Sequence, residues 1–345
     1  MTLARLCGSL LKKYRHGLFA ALTITGLVAP AKAATLTVYA AMGYGARLAH
    51  AFSQATGIRV NLVHLSTGPL LARVQAEAAR PQWDVLWFDG NLAMREFAHR
   101  RILACGWRPA VDYLPQGRAL LPPDRCYYPV GVTLAGVVLV NERRLPQKAW
   151  PRRWSDLLDR SLRDKVGMDN PAISGPTYPF VAGMMQHLGT AGGKRYFSRL
   201  KANGLRVFPR NSATLRALQY GQIDVAVVQS SAALGMAARH PGLRVLAPSP
   251  SILLPSDIAI GAGVHGPKLR AARRFVQYVL SPAGQKILLT DKATADSNYE
   301  PLLARVHPPA VLAPVAGVHA LVLDPAKWGP MEPAIVNWFT AHVTG

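Results

Sequence analysis

The chain has 345 residues, half of them hydrophobic, with 40 Lys and Arg against 18 Asp and Glu and a formal net charge of +22. Such a charge raises nucleic acid, an anionic membrane face or an acidic ligand as partners. The basic residues are scattered, though, in isolated pairs such as Arg100-Arg101, Arg143-Arg144, Arg152-Arg153 and Arg273-Arg274. Without a long run or an aromatic-interleaved stripe, nucleic acid is set aside and the charge reads as a solvated surface.

Residues 1–33 have the layout of a secretory signal. Arg5, Lys12, Lys13 and Arg15 precede a short apolar core at 17–30, and Ala31-Lys32-Ala33 offers small residues for cleavage after Ala33. Cys7 precedes the apolar core, the wrong place for a lipid-anchored cysteine. No other stretch is long enough to span a membrane. The expected mature chain is exported and soluble, with roughly 310 residues, enough for about two domains. Its two cysteines, Cys105 and Cys126, are a candidate disulfide in an oxidising compartment.

In chain order, residues 35–40 read as a strand, followed by Ala41-Met42-Gly43-Tyr44-Gly45. Leu48, Ala51, Phe52 and Ala55 mark a helix ended by Gly57, and 58–63 is a second strand. Ser66, Thr67 and Gly68 are N-cap residue types, and Pro69 suits the first helical turn. Leu70, Leu71, Val74 and Ala78 give that helix an apolar face before Pro81 stops it, and 84–89 is a buried strand ending in Asp89-Gly90. This strand–helix alternation predicts a parallel sheet with covering helices, with ligands where loops leave the strand ends.

A long apolar run at 127–141 predicts a crossing into a second unit. There, Asp169 opens a second ligand-like turn, and Ser174, Gly175, Thr177 and Tyr178 repeat the small, hydroxyl-bearing chemistry at a helix start. Ser212 belongs to a cap before the helix to Tyr220. The strand at 223–228, ending in Gln229-Ser230-Ser231, is the expected second crossing. Further strands are expected at 244–247 and 256–261, helices at 270–280 and 282–289, and a docked terminal helix at 332–343. The expected division is 34–132 with 230–290 as one lobe, 133–229 as the other, and 291–345 docked on either.

The sequence holds no Walker loop, G-x-S-x-G, H-E-x-x-H or C-x-x-C motif, and its histidines show no ligand spacing. The functional signal is a set of polar loops in two α/β halves joined by two crossings, which suits gripping a small solute and closing on a hinge. At this point the chain resembles the periplasmic solute-binding proteins of ABC importers, in the branch with ferric-iron and 2-aminoethylphosphonate binders. The carriers are TVYAAMGYG (37–45), FSQATGIRVNLV (52–63), TGPLLARVQAEAARPQWDVLW (67–87), ISGPTYPF (173–180), ALQYGQIDVAVVQSS (217–231) and SPAGQKIL (281–288).

The resemblance implies a two-lobed α/β fold, each lobe a mainly parallel sheet with covering helices, and a periplasmic monomer handing its solute to a permease without a cofactor. Iron-binding members place adjacent tyrosines where this chain has Gln229-Ser230-Ser231, so the resemblance argues against iron. The expected ligand is a phosphonate or phosphate ester. Its site is drawn from Met42, Gly43, Tyr44, Ser66, Thr67, Gly68, Asp89, Ser174, Gly175, Thr177, Tyr178, Ser212, Gln229 and Ser230, with Asp89 for any ammonium. The alternative is a ferric-ion binder using Tyr44, Tyr178 and Tyr299; an exported enzyme or a sensor subunit on the same scaffold are the remaining classes.

Overall fold

The computed structural model describes residues 35–344, so the expected leader lies outside the described residues. Among them, no helix is long and apolar enough to cross a membrane. The first sheet starts as the alternation predicts: β1 (Thr35–Ala40), α1 (Gly45–Thr56), β2 (Arg59–His64), α2 (Thr67–Ala76) and β3 (Val85–Asp89). Gly57 closes α1 in the left-handed region at φ 72°, where only glycine sits without steric cost. β1 pairs in parallel with β2 and β3. All five β3 residues are buried, as expected of a strand covered on both faces. α2 ends at Ala76, before Ala78 and well short of Pro81.

After α3 (Asn91–His99) and α4 (Pro115–Leu120), β4 (Tyr128–Leu134) stays in this sheet, and Ala135-Gly136 leads to β5 (Val137–Asn141) in a second one. The long apolar run is therefore two strands that change sheet. Between β5 and β6 (Val166–Asp169), Trp154–Leu158 is a tight 3-10 turn. The second sheet also holds β7 (Arg206–Phe208), β8 (Val225–Val228) and β9 (Leu243–Leu246), in the order β7-β6-β8-β5-β9. It is parallel at β6 and antiparallel at β5. α5 (Thr177–Leu188), α6 (Thr190–Ala202), α7 (Asn211–Gln219) and α8 (Ser230–Ala237) accompany it.

The second change of sheet is later than expected. β8 lies between β6 and β5, and β9 still pairs with β5. Only β10 (Ser251–Ile260) returns to the first sheet, running antiparallel between β3 and β4. A short Val-Ala-Val-Val strand reads the same whether it crosses or stays, because periodicity reports burial and not partner.

α9 (Gly266–Val279) and α10 (Pro282–Leu289) precede β11 (Glu300–Pro301), on the edge of β4, and β12 (Ala320–Leu321), beside β10. The tail then reaches the second core. α11 (Pro325–Trp328) ends in Trp328, whose Nε1 donates to Gln186 Oε1 on α5 at 2.6 Å and whose carbonyl accepts the Tyr178 hydroxyl. α12 (Glu332–Phe339) buries Ile335 and Phe339, the latter edge-on to Phe197 at 5.4 Å.

Cys105 and Cys126 are bonded to each other, as the spacing and compartment suggested. Their sequence separation of 21 residues implies a loop-closure contribution of about 3 kcal/mol. Replacing both by serine is expected to lower the melting temperature by several degrees, read by calorimetry. An unchanged value would show that the bridge does not constrain the unfolded chain.

Candidate functional site

The ends of β1, β3, β6 and β8 and the starts of α2, α5 and α8 converge between the sheets. The Ser66 loop and the Ser174 loop meet directly. The Gly68 N–H donates to the Ile173 carbonyl at 3.1 Å. A Cβ on Gly68 would lie 2.0 Å from the Ala172 carbonyl oxygen, and one on Gly175 would lie 2.3 Å from Thr67 Oγ1. Glycine stands at 68 because it meets the backbone of the other loop, and at 175 because the Thr67 side chain packs against it. Ser66 makes no capping bond, Thr67 and Thr177 are buried in the first turns of their helices, and α5 begins without a side-chain cap. Two helix starts, each with a partial positive charge, thus lie against one another, with the Gly68 and Thr177 N–H groups already paired to the Ile173 and Ser174 carbonyls. A cavity of 610 Å³ opens beside them, bordered by Thr67, Gly68, Gly175, Phe97, Arg100 and Glu332.

Deeper in, Gln229 Nε2 donates to Asp89 Oδ2 at 2.8 Å and to Thr133 Oγ1 at 3.0 Å. Ser230 Oγ accepts the Leu134 N–H at 2.9 Å, and Asn298 Nδ2 donates to the Ser231 carbonyl at 3.1 Å. Asp296 Oδ2 accepts the Gly43 N–H at 2.6 Å, which fixes the β1 exit loop. Met42 is buried, with the Ser256 hydroxyl 3.8 Å from its sulfur. At the end of β6, Asp169 accepts from Ser174 Oγ at 3.0 Å and from the Thr214 hydroxyl.

The expected residues divide accordingly. Thr67, Gly68, Gly175 and Thr177 gather at the facing helix starts, and Met42, Gly43, Asp89, Gln229 and Ser230 form the inner network. Ser174 braces Asp169 through its hydroxyl. Ser212 is exposed on α7, while its neighbour Asn211 accepts the Gln229 N–H at 3.4 Å.

The tyrosines do not form one ligand set. Tyr178 is tied to Trp328 in the second core. Tyr299 donates to Gln285 Oε1 at 2.8 Å, and Tyr44 is packed against Trp87 and Tyr299 with ring centroids at 5.3 and 5.9 Å. Burial pushes the hydroxyl pKa of all three upward.

The sequence reading missed Asp169 as a buried acceptor, together with Thr133, Thr214, Ser256 and Asp296. A signal for Asp169 was present: like Asp89, it closes a buried strand just before a polar turn.

The chain belongs to the bacterial extracellular solute-binding proteins, whose family model matches residues 36–291. Among curated proteins it is 25% identical, over 245 residues and 68% of each chain, to one from Salmonella paratyphi A named "Putative 2-aminoethylphosphonate-binding periplasmic protein". Among solved structures it superposes on the periplasmic binding protein P5PA with a TM-score of 0.79 and 18% identity, over 90% of this chain and 99% of that one. For AfuA from Actinobacillus pleuropneumoniae, with exogenous fructose-6-phosphate bound, the values are 0.76 and 19%, over 90% and 98%. For iron-bound HitA from Pseudomonas aeruginosa they are 0.74 and 22%, over 88% and 98%. These structures share the two-sheet α/β fold.

Two predictions follow from the geometry. Gly68→Ala places a methyl into the Ala172 carbonyl and must part the two loops, an overpacking cost of about 1–3 kcal/mol. It is expected to lower the melting temperature and to enlarge the radius of gyration by scattering; unchanged dimensions would show that the contact does not hold the sheets together.

The second concerns pH. Burial raises the Asp89 carboxyl from 3.8 to about 7, with the Asp296 charge adding to it, and burial raises Asp169 to about 7 as well. The folded chain therefore keeps protons that the unfolded chain loses between about pH 4 and 7, so stability falls as pH rises through that window. Thermal unfolding of the ligand-free protein should give a higher melting temperature at about pH 5 than at about pH 7, and Asp89→Asn should flatten the difference. An equal slope in the variant would contradict this assignment.

Proposed function

We propose that this solute-binding protein is the periplasmic component of an ABC importer and captures a small phosphorus-containing anion, an aminoalkylphosphonate such as 2-aminoethylphosphonate. The observation that carries the reading is the pair of hydroxyl-bearing helix starts meeting at Gly68 and Gly175. Neutral hydroxyls beside the positive ends of two helices suit an oxyanion. Thr67 and Thr177 are assigned as phosphonate donors, and Asp89, held by Gln229, as the acceptor for the ammonium. The named Salmonella relative supports the same ligand class. Capture is reversible and without turnover, by one monomer that closes on its solute and delivers it to a permease. Ferric iron is disfavoured because the Tyr178 and Tyr299 hydroxyls are committed to protein acceptors.

The test is a calorimetric titration of the metal-stripped mature protein with 2-aminoethylphosphonate, ethylphosphonate, phosphate and ferric citrate. Binding of the aminophosphonate is expected to raise the melting temperature by mass action. Thr67→Ala and Thr177→Ala should each cost about 1–2 kcal/mol for every phosphorus ligand. Asp89→Asn should weaken 2-aminoethylphosphonate while sparing ethylphosphonate. Binding of ferric citrate alone would make the protein an iron carrier.

A further inference from the structure

The fold assembles a basic, aromatic strip that the linear sequence conceals. Between residues 135 and 250, basic side chains outnumber acidic ones by roughly three to one. Lys148, Trp150, Arg153 and Arg199 line one depression of 550 Å³. Arg199 also lines a neighbouring depression of 380 Å³ with Lys194, Arg195 and Trp338, so the two form one strip. Its parts come from the stretch 148–153 between β5 and β6, from α6 and from α12. Lys148, Arg195 and Arg199 are exposed, and Trp150 and Trp338 are half-buried. The Lys194 ammonium lies 5.3 Å from the Trp338 ring centroid. At the adjoining helix junction, Leu188 is 41% exposed, and Gly192 has Leu188 and Arg195 as its side-chain neighbours.

The carboxylates on the strip are engaged locally. Asp156 accepts the Arg152 and Arg153 N–H groups at 3.0 Å each and pairs with the Arg153 guanidinium at 3.2 Å. Asp159 accepts the Ser161 N–H at 2.8 Å. Lys148, Lys194, Arg195 and Arg199 therefore leave a net positive field.

We propose that this strip docks the protein on an anionic phospholipid surface. Cationic side chains are drawn to anionic headgroups, and indole rings prefer the headgroup level, where apolar and polar surroundings mix. The partly buried tryptophans and the exposed Leu188 favour a lipid surface over an acidic protein, for which charge alone would suffice. A binding protein held at the membrane face meets its permease by a search in two dimensions.

The test is co-sedimentation of the full mature protein with phosphatidylcholine vesicles, with and without about one third phosphatidylglycerol, at low and high salt. Binding is expected only with phosphatidylglycerol, is lost as salt rises, and is accompanied by a blue shift of tryptophan emission. Arg195→Glu with Arg199→Glu should cut the bound fraction about tenfold at an unchanged melting temperature, and Trp338→Phe should remove most of the blue shift. No binding to the anionic vesicles, or equal binding by the double variant, would overturn the proposal. Capture by polyglutamate without vesicle binding would overturn it in favour of an acidic protein partner.

Discussion

Gln229 donates to Asp89 across the gap between the two sheets, from just after β8 to the end of β3, at 2.8 Å. The same amide nitrogen reaches Thr133 on β4 at 3.0 Å, just before the chain changes sheet. One side chain therefore links the inner ends of two strands in the first sheet to one in the second. A hydrogen bond to a buried carboxyl in such surroundings is strong, and leaving either partner unpaired is costly. The contact between Gly68 and Ile173, the Asn298 bond to Ser231 and the Trp328 anchor reinforce the same seam from other sides.

The electrostatics of the seam run against those of the surface. The chain as a whole is strongly basic, yet the ionisable groups of the inner network are carboxyls: Asp89, Asp169 and Asp296. Burial raises the pKa of each, because removal from water disfavours the charged form. Under the proposed function, an ammonium at Asp89 would restore its ionised state and an oxyanion would sit at the helix starts, which carry partial positive charge. Asp257, beside Ser256 on β10, is buried with both carboxyl oxygens unpartnered among the described residues; nothing in the structure accounts for it.

How far the sequence reaches can be judged residue by residue. The start of the first sheet was legible because Gly57, Ser66 and Pro69 punctuate a regular alternation, and each acts through its own backbone preference. The Ser66 and Ser174 loops were legible for the same reason. The second change of sheet was not, since β8 has the composition of any buried strand and its partners lie far away in sequence. Thr133 and Asp296 were missed because each acts on a segment distant from its own, Thr133 on Gln229 and Asp296 on Gly43. The basic strip was missed likewise, for its residues come from three separate segments.

What the sequence by itself determined is therefore local: strand and helix starts, their caps, and the hydroxyl and glycine chemistry of the turns. These depend on dihedral preference and short-range hydrogen bonding, which neighbouring residues set. Only the tertiary structure decided which turns face each other, which tyrosine hydroxyls are committed to packing, and which scattered cations share a face. Those outcomes rest on contacts between residues far apart in the chain, and a linear pattern carries burial without naming the partner.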